Sequence, residues 1–319
     1  MKNTPKLYHW HELDGDAQRQ YIDAQAVFTA WEAAGKAALE VRGGMHWKRQ
    51  GAGDYLIRTS VRNSQKSLGP RSPETEAVYA RFTTRKLQVE QRLADLAKEL
   101  VRQQRMNRAL HVGRAPLLLV EILNRLARSG LADYFTVVGT HALYAYEAAA
   151  GVQFGEADAL ATRDVDLLWD VRKRLRFVTR MASLGSSMLD LLRKVDATFQ
   201  LRDDQPYTAV NSKGFEVDII RRELHPGDPH PLQITDNEED FWVVPAHRAE
   251  LLLSGPRFSR MIVAASGQMA RMDTVHPRTF VSFKHWLADL PDREPLKRRR
   301  DLLQAELVSQ LLTEYLPQL

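Results

Sequence analysis

The sequence predicts an α/β (α+β) fold: a core with a short mixed sheet, flanked by a helical N-terminal domain carrying a β-hairpin and by a C-terminal helical region. Three observations predict it. Short β-rich apolar runs alternate with helical stretches through the middle of the chain, the pattern of layered α/β architectures. Upstream, a helical period stops at Gly43-Gly44 and period two begins. Downstream, two helical stretches each open on a proline, Pro277 and Pro295. The chain has 319 residues, 44% of them hydrophobic, and domains run to about 100–200 residues. Boundaries are expected near 1–112 (basic helical domain with the hairpin), 113–275 (core) and 276–319 (C-terminal helices).

Taken in order, Ile22, Val27, Phe28, Trp31 and Ala34 recur at near-helical spacing and predict an amphipathic helix over about 15–40. Met45-His-Trp-Lys-Arg49, the turn Gly51–Asp54 and Tyr55–Ser60 read as a hairpin, with a third strand expected just before Lys66. Ser72-Pro73-Glu-Thr-Glu76 has a cap residue, proline in the first turn and acids at the positive helix end, so a helix is expected from Pro73 to about Met106. A helix over 115–128 stops at Ser129-Gly130. Tyr134–Val138 and Val165–Trp169 read as buried strands, with a helix from His141 to Ala150 between them. Further on, a helix is expected over 187–195 and extended chain over 197–202 and 207–210. Phe215–Ile220 alternates with period two, as a half-buried strand does. Prolines 226, 229 and 231 mark a loop lasting to Asp240. A hairpin turns at Ser266-Gly267, and helices over 277–289 and 295–315 complete the pattern.

The chain has no cysteine, which excludes disulfides, thiolate metal sites and cysteine nucleophiles. Its apolar runs are soon interrupted by charge, well short of the roughly 20 residues of a membrane helix. The first ten residues lack the apolar core of a secretory signal. The expectation is a cytoplasmic protein without a membrane partner. Lys and Arg exceed Asp and Glu by 45 to 40, but between Val41 and Arg114 the ratio is 16 to 6. A basic segment on a more acidic body marks either a polyanion contact or a solvated helix face. Lys48, Arg49 and Arg58, interleaved with Trp47 and Tyr55, are the candidates for nucleic-acid contact. The two aromatics could stack on bases or fill the core of the small sheet.

Three features of the middle segment carry chemistry. Val137-Val-Gly-Thr-His-Ala142 joins a strand to a helix through Gly139 and Thr140, a turn that exposes backbone N–H groups to phosphate oxygens. Thr162-Arg-Asp-Val-Asp-Leu-Leu-Trp169 sets Asp164 and Asp166 on one strand face. Such a pair is either two solvated acids or a cation site, since repulsion opposes convergence without a cation between them. Phe215-Glu-Val-Asp-Ile-Ile220 places Asp218 in a third apolar strand, where an acid is costly unless paired, exposed or bound to metal.

Together these features resemble the polymerase-beta-like nucleotidyltransferases. Val138–Tyr146 followed by Thr162-x-Asp-Val-Asp-Leu is similar to the bacterial branch containing abortive-infection toxin nucleotidyltransferases. Lys66–Glu76, His276–Leu287 and Asp292–Asp301 resemble an uncharacterised bacterial nucleotidyltransferase family. Two features depart from the superfamily pattern: Thr140 stands where a second Gly or a Ser is common, and Gly151–Ala157 reads as an insertion. The resemblance implies that Asp164, Asp166 and Asp218 hold two Mg²⁺ (or Mn²⁺) ions and that a nucleoside monophosphate passes from an NTP, such as ATP, to an acceptor hydroxyl. It implies phosphate contacts from Gly139 and Thr140, and countercharge for the triphosphate from Lys284 or Arg278 and from Lys297 and Arg300. Lys297–Arg300 reads equally as a solvated helix start, and the Lys284 stem as cover for apolar surface. His141 is expected to be a satisfied helix-start residue and His276 a helix cap. The expected partners are the NTP, a nucleic-acid acceptor such as tRNA, and an antitoxin-like protein. The alternatives are a protein or small-molecule acceptor, and a non-catalytic nucleic-acid-binding protein with this fold.

Overall fold

The chain is described here from a computed structural model, which covers residues 10–223, 225, 233–235, 237 and 239–319. Residues 1–9 and Pro226, Pro229 and Pro231 of the expected loop lie outside the described residues. The chain divides into two compact units, Arg19–Leu110 and the remainder.

Strand β1 (Trp10–Glu12) belongs to the larger unit, and α1 (Gly15–Glu40) leads into the smaller one. The face of α1 that is covered carries Ala24, Phe28 and Ala34, whereas Ile22 is 65% exposed. Gln20 is buried on the same face and its amide donates to Gln103 Oε1 (2.7 Å) and Asn107 Oδ1 (3.0 Å). After Gly43 the hairpin β2 (Gly44–Gln50) and β3 (Gly53–Thr59) pairs antiparallel with β4 (Gln65–Pro70). The third strand is thus the Gln65–Pro70 segment itself, not the residues before Lys66. Gly43 has φ +85°, and a Cβ there would lie 2.1 Å from the Thr59 carbonyl oxygen. Leu56 and Ile57, between which the pairing with β4 shifts register, are both buried. Helix α2 (Pro73–Ala109) starts in a reciprocal capping box: Ser72 Oγ accepts from Thr75 N–H, and Thr75 Oγ1 accepts from Ser72 N–H.

The larger unit continues with α3 (Leu117–Ser129), β5 (Phe135–Val138), a 3-10 turn over Gly139–Ala142, α4 (Leu143–Ala150), β6 (Val152–Phe154), α5 (Ala157–Leu160) and β7 (Asp164–Trp169). Then come α6 (Arg174–Leu184), α7 (Met188–Arg193), β8 (Gln200–Leu201), β9 (Thr208–Val210), β10 (Glu216–Arg222) and β11 (Val244–Ala246). Helix α8 (Ala249–Ser254), the hairpin β12 (Phe258–Val263) and β13 (Met269–Thr274), α9 (Pro277–Ala288) and α10 (Pro295–Glu314) complete it. The mixed sheet runs β12-β13-β5-β7-β10-β9-β8, with β11 also on β10. Trp169, Tyr146, Phe177 and Phe280 are fully buried in its core, where each large apolar side chain contributes about 1.5–3 kcal/mol.

Several expectations are corrected. The helix expected from His141 begins as the 3-10 turn and is α-helical only from Leu143. Helix α3 starts at Leu117 because Pro116 stands at its cap and Ala115 bridges to Ala264. The Gly151–Ala157 stretch, expected to be an insertion, carries β6, which pairs antiparallel with β1. Helix α6 is not signalled by periodicity: only Phe177 and Met181 are buried, and Leu175 is 82% exposed.

Candidate active site

Strand pairing assembles the site. Strands β7 and β10 are parallel with Asp166 beside Asp218, and β5 is antiparallel to β7 with Val138 beside Asp166. On β7 the buried residues Val165 and Leu167 take one face, which leaves Asp164 and Asp166 together on the other. On β10, Val217 and Ile219 are buried and Asp218 faces the opposite way. One carboxylate oxygen from each of Asp164, Asp166 and Asp218 lies within 4.8 Å of the others. Glu216 shares the β10 face but pairs with Arg202 at 3.0 Å.

The electrostatics of the trio ask for a cation. Among the described residues no Lys or Arg nitrogen pairs with any of the three carboxylates, whose protein partners are hydroxyls: Thr162 to Asp164, and Thr208 Oγ1 to Asp218 Oδ1 at 2.6 Å. Burial, then the neighbouring charges of Asp164 and Asp218, push the Asp166 carboxyl up to about 7. Burial likewise raises Asp218. An all-oxygen donor set, rich in negative charge and lacking a basic partner, fits hard divalent cations such as Mg²⁺. Gly139 completes the inner wall: it has φ +70°, and a Cβ there would come 2.5 Å from Asp166 Oδ2. Only glycine suits both the backbone and the carboxylate approach.

Beside the carboxylates lies a cleft of 420 Å³, lined by Gly139, Thr140, Asp164 and Asp166 on one side and by Lys284, Arg293, Lys297 and Arg300 on the other. Phe280, Phe283 and Trp286 add an apolar wall. Lys284 is buried on α9; its Nζ donates to Asp301 Oδ1 at 2.7 Å, and burial lowers its pKa against the pull of Asp301 and Asp166. Asp301, fully buried on α10, also takes Arg293 through Oδ2 at 2.6 Å. One carboxylate therefore holds two cations at the cleft. Arg300 donates to the Ala161 carbonyl at 2.9 Å, and Lys297 is exposed, 3.5 Å from Glu294.

Other sequence-picked residues fall elsewhere. Arg278 is exposed, bonds the Leu319 main-chain oxygen and does not line the cleft. In the smaller unit Lys48 and Arg49 are exposed on β2. Arg58 is committed internally: its guanidinium bonds the carbonyls of Arg42, Gly44 and Thr59 and lies 4.4 Å from the Phe82 ring centroid. Trp47 packs on Tyr79 with Arg71 over its ring. His276 caps α9, accepting from Arg278 N–H. His141 is buried with neither ring nitrogen bonded, so it is not a satisfied residue, and burial lowers its pKa to about 4. Arg293, the anchoring role of Asp301, Thr208 and Gln304 escaped the sequence reading. The one available signal was a polar pair, Asp301 and Gln304, three apart on the otherwise apolar stripe of α10.

No curated protein and no solved structure gives a match to this chain. A family model described as nucleotidyltransferase matches residues 118–319, the stretch that carries the sheet, the three carboxylates and both cleft-lining helices. By that match the chain belongs to a nucleotidyltransferase family.

Proposed function

We propose that the protein moves a nucleoside monophosphate from an NTP to an acceptor hydroxyl with Mg²⁺ (or Mn²⁺), and that the acceptor is a nucleic acid. The observation that carries the chemistry is the convergence of Asp164, Asp166 and Asp218 beside a cation-lined cleft. Asp164, Asp166 and Asp218 would hold divalent ions, which would supply positive charge for the reacting oxygens. Lys284 and Arg293, fixed by Asp301, add charge that the buried setting strengthens for a polyanionic substrate. Thr140 and the turn at Gly139 face the same cleft and suit phosphate oxygens. Asp218, its Oδ1 engaged by Thr208, leaves its second oxygen for the metal or the acceptor hydroxyl.

The acceptor class rests on the basic stretch Val41–Arg114 and on the exposed Lys48 and Arg49. Kinship with the toxin branch rests on the Val138–Tyr146 and Thr162–Leu167 motifs alone. The test is incubation of the protein with each labelled NTP, Mg²⁺ and total RNA or lysate. Label is expected in RNA, and Asp164→Ala or Asp166→Ala is expected to lower transfer about 10²- to 10³-fold or more, the scale of losing transition-state charge stabilisation. Near-wild-type turnover in either variant would remove the metal reading. Label in protein or in small molecules would keep the chemistry and change the acceptor.

A further inference from the structure

Gln304 is fully buried on α10, and its side-chain amide makes two bonds that cross the unit. Nε2 donates to the Ala159 carbonyl at 2.7 Å and to Thr140 Oγ1 at 3.0 Å, while Oε1 has no partner. The Ala159 oxygen can only accept, so the nitrogen of the amide must face it. The same nitrogen then faces Thr140, whose hydroxyl oxygen is fixed as an acceptor. A hydroxyl carries one proton besides its lone pairs. Among the described residues the Thr140 hydroxyl donates to no one, and Thr140 lines the cleft beside Asp164, Asp166 and Lys284.

We propose that Gln304 is a positioning residue: by occupying a lone pair of Thr140 Oγ1 it directs the hydroxyl proton to a phosphate oxygen of the substrate. This rests on the nucleotidyltransferase reading of the cleft. It also accounts for a hydroxyl at this turn: with one of its two lone pairs taken by Gln304, the rotor has fewer positions left for its proton, and that proton is the group an anion needs. The unpaired Oε1 is the cost of this arrangement, since a buried carbonyl without a donor is unfavourable. Without the amide, the Thr140 rotor is free to turn its proton to any acceptor.

The test is calorimetric binding of inorganic tripolyphosphate, with Mg²⁺, to the full chain and to Thr140→Val, Gln304→Met and the double variant, with melting temperatures alongside. Tripolyphosphate reads the phosphate site without a base. Thr140→Val is expected to weaken binding roughly 10- to 100-fold, as befits a hydrogen bond to a charged group. Gln304→Met should weaken it comparably, and the double variant no further than Thr140→Val alone. Thr140→Ser, which keeps the hydroxyl, should bind like wild type. Losses that multiply in the double variant, or wild-type affinity in Thr140→Val or in Gln304→Met, would overturn the role of Gln304. Gln304→Leu replaces the Met variant should that one fail to fold. If neither folds, the Thr140 pair decides, with equal affinity in Val and Ser counting against the proposal. A wild-type protein that binds no tripolyphosphate in Mg²⁺ would instead sink the phosphate reading of the cleft, and this inference with it.

Discussion

Asp166 sits where ionisation is opposed from two sides, by burial and by the charges of Asp164 and Asp218, and titrates near 7 instead of 3.8. The folded protein therefore holds that proton more tightly than the unfolded chain. A raised carboxyl contributes stability that is fully present below the unfolded value and is lost as pH rises through the folded one. The window is thus about pH 4 to 7, with the protein at its weakest above it when metal is absent. Asp166→Asn keeps the shape and removes the charge. In EDTA it is expected to melt several degrees above wild type at about pH 8 and close to it at about pH 4, given about 2–4 °C per kcal/mol for a unit of this size. Mg²⁺ should raise the wild-type midpoint at pH 8 by mass action and leave the variant unmoved. Melting curves at the two pH values, with and without Mg²⁺, check both statements; a variant less stable than wild type at pH 8 would mean that the trio does not repel.

At the scale of elements, α7 shows how a short helix is held by a distant residue. Six residues form too short a helix to persist by propensity. Ser187 and Asp190 form a capping box, and the first two helical N–H groups, of Met188 and Leu189, donate to the Asp240 carboxylate at 2.9 and 3.1 Å. Thr235 adds a third donor at 2.8 Å, and Asp240 is fully buried. Asp240→Ala strips three donors of a charged acceptor in a dry place. Its expected cost is about 2–4 kcal/mol, above an ordinary cap, read as a lower urea midpoint at unchanged slope. Asp240→Asn should lose less, since its amide oxygen still accepts. A midpoint shift near zero for the Ala variant would show that the capping box alone supports α7.

On the scale of the molecule, charge is segregated along the chain: 16 Lys and Arg against 6 Asp and Glu lie between Val41 and Arg114, while carboxylates define the candidate site. Phosphate contacts release counterions, so a docked nucleic acid should lose affinity steeply between about 50 and 200 mM salt. Lys48→Glu with Arg49→Glu is expected to weaken tRNA binding by about tenfold or more at low salt and to leave tripolyphosphate binding unchanged. Arg58 does not belong in that test, because its donors already serve three backbone carbonyls and its loss would read as destabilisation. Anisotropy titrations of tRNA and duplex DNA across the salt range give the answer. Binding that is absent, or indifferent to salt, would favour a protein or small-molecule acceptor. Among the described residues no helix is long and apolar enough to cross a membrane.

By itself the sequence determined whatever depends on near neighbours. Ser72-Pro73 starts α2, Gly130 ends α3 in the left-handed conformation, and the i, i+2 spacing sets Asp164 and Asp166 on one face. These follow from steric and hydrogen-bonding rules a few residues long. Tertiary structure alone decided the rest. Asp218 stands beside Asp166 because β7 and β10 pair in a register fixed by their buried faces. Lys284 and Arg293 meet at Asp301 because α9 packs on α10, and Gln304 reaches Thr140 across 164 positions of chain. Helix α6 and the unpaired His141 were illegible for a related reason: their burial depends on what covers them, and no local period records the covering surface.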